Sequence, residues 1–192
     1  VSSERLKAFS DGVIAIIITI MVLELKPPHG EDFSALAKLW PTFVAYVVSF
    51  TYVAIYWNNH HHLFYLVESI DGATLWANLV LLFCLSLLPF ATAWAAETEF
   101  AAAPMALYGA DLLACATAYL VLVRTLLRAQ GAGSKLHAAI GDDLKGKASL
   151  ALYLAGIVAS AWKPWAAGAF YIAVAGMWLI PDRRIVRILA GN

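Results

Sequence analysis

The apolar positions of this chain form long continuous runs, parted by short polar breaks. Six runs reach the length, roughly 20 residues, that an α-helix needs to cross a bilayer core. They cover residues 6–25, 39–57, 73–95, 105–126, 144–162 and 165–180. The second is expected to continue as helix to Glu68. The ten-residue alternation of a membrane β-barrel is absent. Backbone in lipid must satisfy its own hydrogen bonds, so runs of this kind predict helices. The expected fold is therefore all-α, an integral membrane protomer of six transmembrane helices, with residues 1–192 as one unit and no soluble domain. Pro41 and Pro104 fall in first turns, where proline is tolerated. Pro89 lies inside the third run and predicts a kink. A tight turn at Lys163-Pro164 separates the last two runs.

Composition agrees with the pattern. Hydrophobic residues make up 62% of the chain, charged residues 14%, and the mean hydropathy is +0.74. A soluble domain is nearer half apolar and a quarter charged. The net charge is zero, which gives no basic surface for nucleic acid. Cys84 and Cys115 both fall in apolar runs and read as small packing residues. No signal-peptide cleavage is expected, because Phe9, Ser10, Asp11 and Gly12 lack the small-residue pattern for it.

The lysines and arginines set an orientation. With the N-terminus inside, the inner segments hold Arg5, Lys7, Arg124, Arg128, Lys135, Lys145, Lys147, Arg183, Arg184 and Arg187. The outer segments hold Lys26, Lys38 and Lys163. Both termini are therefore expected to be cytoplasmic, in a multi-pass protein of the cell membrane. Trp40, Trp57, Trp94, Trp162, Trp165 and Trp178 fall near span ends, as interfacial anchors do. The segment 129–143 carries Gly131, Gly133 and Gly141 and reads as a flexible inner linker.

Polar groups inside spans are costly, so they are the candidates for function. Asp11 needs a partner at its depth. Trp57 and His60 at the inner end of the second span share its level, as does Asn78 early in the third. With Arg5 and Ser10 these residues predict an inner polar network. Such a network is either glue between helices or part of a transport path. Further out, the first span is rich in isoleucine. Ile16, Thr19, Ile20 and Leu23 share one helix face, and Glu24 closes its outer end. Copies of this helix around one axis would give apolar constrictions at Ile16 and Leu23. Thr19 would add a ring of hydroxyls and Glu24 a ring of charge, both recognised parts of cation channels. The same spacing also suits a helix that is simply packed.

His60, His61 and His62 point in three directions on a helix, so no shared metal ion is expected, with one histidine buried and two at the interface. Asp111, about two turns into the fourth span, calls for a tyrosine or threonine hydroxyl or for water. Phosphate-loop, dinucleotide and nucleophile-elbow motifs are absent, and no cofactor is implied. A secondary transporter, a proton-permeable protein and a membrane enzyme remain as alternatives.

The stretch Arg5-x-x-x-Phe9-Ser10-Asp11, opening an isoleucine-rich span, resembles the signature of the transmembrane protein 175 family. That family comprises the endosomal and lysosomal potassium channel and its bacterial relatives. Trp57-x-x-His60-x-x-Leu63-Phe64 resembles the end of the family's second span, and Asn78-Leu79 with Leu88-Pro89 further on resembles its third. The resemblance implies a bacterial six-span form that assembles as a homotetramer and passes potassium and other monovalent cations. It implies a central pore lined by the first helix, with no carbonyl filter and an apolar narrowest point at Ile16. Thr19 lies above that point, Leu23 lies beyond, and Ile20 contributes. Arg5, Ser10, Asp11, Trp57, His60 and Asn78 then orient the helix.

Overall fold

In the computed structural model of the chain, the structure describes residues 3–67, 70–131, 134, 136–137 and 144–179. Seven α-helices lie among them: α1 Ser3–Met21, α2 Phe33–Ala37, α3 Trp40–Tyr65, α4 Gly72–Glu97, α5 Ala102–Gln130, α6 Leu144–Ser160 and α7 Pro164–Leu179. Six of these occupy the six apolar runs. The short α2 was not foreseen. Glu68, Lys135, Arg183, Arg184, Arg187, Gly133, Gly141 and Ile180 fall outside the described residues.

Among the described residues, three helical segments are long and apolar enough to cross a membrane: Ser3–Glu24, Gly72–Glu97 and Ala102–Gln130. Helix α3 has 26 residues, but its tyrosines, Ser49, Thr51 and the Asn58–His62 stretch dilute its hydropathy. Helices α6 and α7, with 17 and 16 residues, are shorter.

The ends of the helices follow from local chemistry. Asp71 caps α4, its Oδ1 accepting from the Thr74 amide at 2.8 Å. Helix α1 does not keep its winding to the end: Val22–Glu24 is a 3₁₀ turn. Helix α4 runs unbroken from Gly72 to Glu97 with Pro89 inside it. It stops at Thr98, where Glu99 and Phe100 take left-handed φ values of 49° and 62°. The Phe100 amide donates to Ala95 O and the Glu99 amide to Ala96 O, so two end carbonyls are satisfied. Phe100 then packs on Trp40, ring centroids 5.7 Å apart.

Helices α4 and α5 form the central pair. Helices α3 and α1 pack against α4, and α6 and α7 against α5, while α7 also reaches α3. The core at this junction includes Tyr52, Leu81, Leu85, Leu88, Leu112, Leu122, Tyr153 and Tyr171, all buried. Tyr171 of α7 is wedged between two helices at glycines. A Cβ at Gly109 of α5 would stand 2.0 Å from its Oη, and one at Gly156 of α6 would stand 2.4 Å from its Cε1. The ring is held by a 3.0 Å hydrogen bond from its Oη to Met105 O. Tyr52 in turn donates to Tyr171 O.

Lys145 and Ser149 at the start of α6 meet Trp178 at the end of α7. The Trp178 indole donates to Ser149 Oγ at 2.8 Å, and Lys145 Nζ lies 5.9 Å from its ring centre. The two helices therefore run antiparallel across the short turn at Trp162.

Gly109→Ala and Gly156→Ala should each lower stability by about 1–3 kcal/mol, because the added methyl meets a pinned ring. Gly176→Ala, which meets nothing within 4 Å, should not. Midpoints of thermal unfolding in detergent check this. Loss of the Asp71 cap should act at one end of α4. Its interaction with Thr74 lowers the Asp71 pKa, so the cap holds at neutral pH and is lost as pH falls through that lowered value. Hydrogen exchange should then show Asp71→Ala loosening the first turn of α4 at neutral pH, with the difference from wild type vanishing in strong acid.

Candidate functional site

One face of α1 is buried against the protomer. Leu6, Ser10, Ile14, Ile17 and Met21 recur at helical spacing and are all enclosed. The opposite face is bare. Ile16 is 57% exposed, Ile20 45%, Leu23 70% and Phe9 53%, and Thr19 is exposed between them. A helix with isoleucine on both sides has thus been split into an inward and an outward set.

Side-chain hydrogen bonds decide which set turns inward. Ser10 is fully buried and its Oγ accepts from Asn78 Nδ2 at 2.9 Å. The carbonyl of the same amide accepts from His60 Nε2 at 2.8 Å. Asn78 thereby ties α1, α3 and α4 together with one side chain, and the ring proton of His60 is placed on Nε2. His60 stacks on Phe64 with ring centroids 4.5 Å apart. One helical step from Ser10, Asp11 Oδ1 accepts from Trp57 Nε1 at 3.0 Å. Five of the six residues placed in the inner network, Ser10, Asp11, Trp57, His60 and Asn78, are so joined in two bonded groups. Arg5 is exposed and shares in neither, among the described residues. His61 is exposed and His62 half-buried, turned away from His60.

Along the outward face, Thr19 Oγ1 donates to Ile16 O at 2.9 Å. Its proton is turned back onto the helix and its lone pairs face out. Glu24 does not stand alone at the outer end. It lines a crevice of about 130 Å³ with Lys26, Leu39, Thr42, Ala93, Ala96 and Glu97.

A second polar group, which sequence reasoning missed, lies deeper between α3, α4 and α5. Ser49 Oγ is 2.9 Å from Tyr108 Oη and 2.7 Å from Thr92 Oγ1, and Thr92 Oγ1 donates to Leu88 O at 2.6 Å. One ordering of the protons, from Tyr108 to Ser49 to Thr92 to Leu88 O, satisfies the whole chain. Serine, threonine and tyrosine in separate apolar runs carry no spacing signal that would reveal it. Of the two surroundings expected for Asp111, a hydroxyl partner is not found among the described residues, and its Oδ2 is enclosed and unbonded.

Chemically, these residues hold helices in place and present an apolar face. Among the described residues no cluster of three or more histidine, cysteine or acidic side chains is placed to hold a metal ion. The class they define is a helical membrane protein with one bare apolar face on α1.

Comparison with known proteins gives that class a function. Residues 5–89 match the family model described as endosomal/lysosomal potassium channel TMEM175. The chain is 52% identical over 188 residues to a potassium channel of Chryseobacterium sp. (strain P1-3), covering 98% of both chains. It is 39% identical over 75 residues to the endosomal/lysosomal proton channel TMEM175 of Homo sapiens, 33% of this chain and 15% of that protein. The crystal structure of a lysosomal potassium-selective channel TMEM175 homologue from Chamaesiphon minutus superposes with a TM-score of 0.75 at 30% identity. That match covers 92% of this chain and 96% of the other. The chain belongs to the TMEM175 family. It is a membrane protein of a family of cation channels, and not an enzyme.

Asn78→Leu should cost about 1–3 kcal/mol, since it leaves His60 Nε2 and Ser10 Oγ buried without their partner. Ser10→Ala orphans one buried donor, Asn78 Nδ2, where Asn78→Leu orphans two groups, so it should cost less, about 1 kcal/mol. Thermal midpoints of the solubilised protein give the ranking; equal effects would contradict the bridging role of Asn78.

Proposed function

We propose that the chain is the six-span protomer of a homotetrameric channel that passes potassium in modest preference to sodium, with the outward face of α1 lining a pore on the tetramer axis. The observation that carries this reading is the bare stripe of Ile16, Thr19, Ile20 and Leu23 on a helix whose other face is fully packed. An apolar stripe alone would suit lipid. Thr19 within it, and Glu24 at its outer end, suit ions. The family's named channel activities support the same choice.

At the Ile16 constriction the wall offers no ligand to replace an ion's water. Passage then requires partial dehydration without compensation. Potassium holds its water less tightly than sodium and passes more readily, with a modest ratio because neither ion is coordinated. Thr19 helps in one direction only: with its proton bonded to Ile16 O, it presents oxygen lone pairs to a cation. Glu24 raises the local cation concentration over a screening distance of about 8–10 Å at physiological salt, offset in part by Lys26. The inner bonds of Ser10, Asp11, Trp57, His60 and Asn78 set the rotation of α1, and so the direction in which Ile16 points. Both termini lie on the cytoplasmic side of the cell membrane in this arrangement.

Ile16→Asn should raise conductance and reduce the potassium-to-sodium permeability ratio in planar bilayers. Unchanged conductance with an unchanged ratio would take Ile16 out of the pore. Discrete current steps separate a channel from a transporter, and the mass of the solubilised assembly should equal four chains.

A further inference from the structure

We infer that Asp111 of α5 is a proton-binding site inside the protomer, away from the α1 face. Asp111 is the tenth residue of α5, about 14 Å along the helix at 1.5 Å per residue. It is 8% exposed, and its Oδ2 is fully enclosed with no hydrogen-bond partner. The titratable groups that share its electrostatic surroundings are Tyr56 of α3, Cys84 of α4, and Tyr108 and Cys115 of its own helix. All four are neutral in ordinary conditions. The Tyr108 hydroxyl is already bonded to Ser49.

Among the described residues a carboxylate here has neither a counter-ion nor a donor to replace water at Oδ2, a costly state for a buried charge. A proton cancels the charge and needs no room of its own. Because Oδ2 is sealed inside one protomer, neither a lipid headgroup nor a neighbouring subunit reaches it. This separates Asp111 from Asp11, which is half-buried and bonded to Trp57. An apolar groove of about 480 Å³ between α4 and α5 passes beside the site, lined by Ala110, Ala114 and Cys84 among others. It brings a hydrophobic reagent up to Ala110, the residue next to Asp111. Losing the proton places an unpaired charge where α3, α4 and α5 meet and loosens their packing.

The test is labelling of the full chain with dicyclohexylcarbodiimide, which attacks protonated carboxyls in apolar surroundings, followed by peptide mapping. The Asp111 adduct should form at neutral pH, well above the ordinary carboxylate range, and should diminish with the protonated fraction as the medium is made alkaline. Added potassium or sodium at fixed pH should leave it unchanged. Absence of the adduct, labelling that ignores pH, or protection by either cation would overturn the assignment; protection would mark a metal-cation site instead. In parallel, the thermal midpoint of wild type should fall relative to that of Asp111→Asn, a neutral stand-in for the protonated acid, as pH rises from about 4, where the unfolded chain gives up the proton that the folded chain keeps. Identical pH profiles for the two would also overturn it, and if Asp111→Asn does not fold, the wild-type labelling decides alone.

Discussion

The arrangement of the N-terminal half depends on one side-chain amide. Asn78 donates to Ser10 on α1 and accepts from His60 on α3, and both neighbours are sealed from solvent. Apolar packing tolerates rotation of a helix whose sides are both isoleucine. A hydrogen bond in a low-dielectric interior does not, because a misplaced donor or acceptor goes unsatisfied. With Ser10 held inward, helical geometry carries Ile14, Ile17 and Met21 inward as well. Ile16, Ile20 and Leu23 have no choice but the far side. The bond from Trp57 to Asp11 braces the same helix from α3.

The C-terminal half is held by a different means. Helix α7 drives the Tyr171 ring into gaps left by Gly109 and Gly156, so three helices meet around one aromatic side chain. Hydroxyls and backbone carbonyls supply the polar contacts here, from Tyr52 to Tyr171 O and from Tyr171 to Met105 O. The family model matches residues 5–89, which take in every member of the Asn78 and Asp11 groups but not Tyr171, Gly109 or Gly156. The recognisable motifs therefore lie where directional bonds set the bearing of α1.

The helices were legible because run length and local hydrogen bonding dictate them together. Trp40–Tyr65 continues past Trp57 as expected, and α6 and α7 begin and end within a few residues of the apolar runs. The grouping of Asp11, Trp57, His60 and Asn78 was legible from depth alone, since costly groups at one level must find each other. Other features left no local trace. The wedge of Tyr171 between Gly109 and Gly156 joins residues far apart in sequence, and glycine in an apolar run reads equally well as lipid-facing. Glu99 takes a left-handed conformation that glycine would have advertised. Arg5 was placed in the network by its position in the motif, but its side chain stays at the exposed surface.

The tightened end of α1 has a consequence for the charge it carries. A 3₁₀ turn advances each residue by about 120° around the axis where an α-turn advances it by about 100°. Over Val22–Glu24 the excess accumulates to about 60°. The Glu24 carboxylate is therefore swung off the meridian that Ile16 and Ile20 follow and into the crevice with Thr42 and Glu97. Unwinding or rewinding a single turn would sweep that charge through an arc while the rest of α1 stood still, so its compass bearing is governed separately from the helix beneath it.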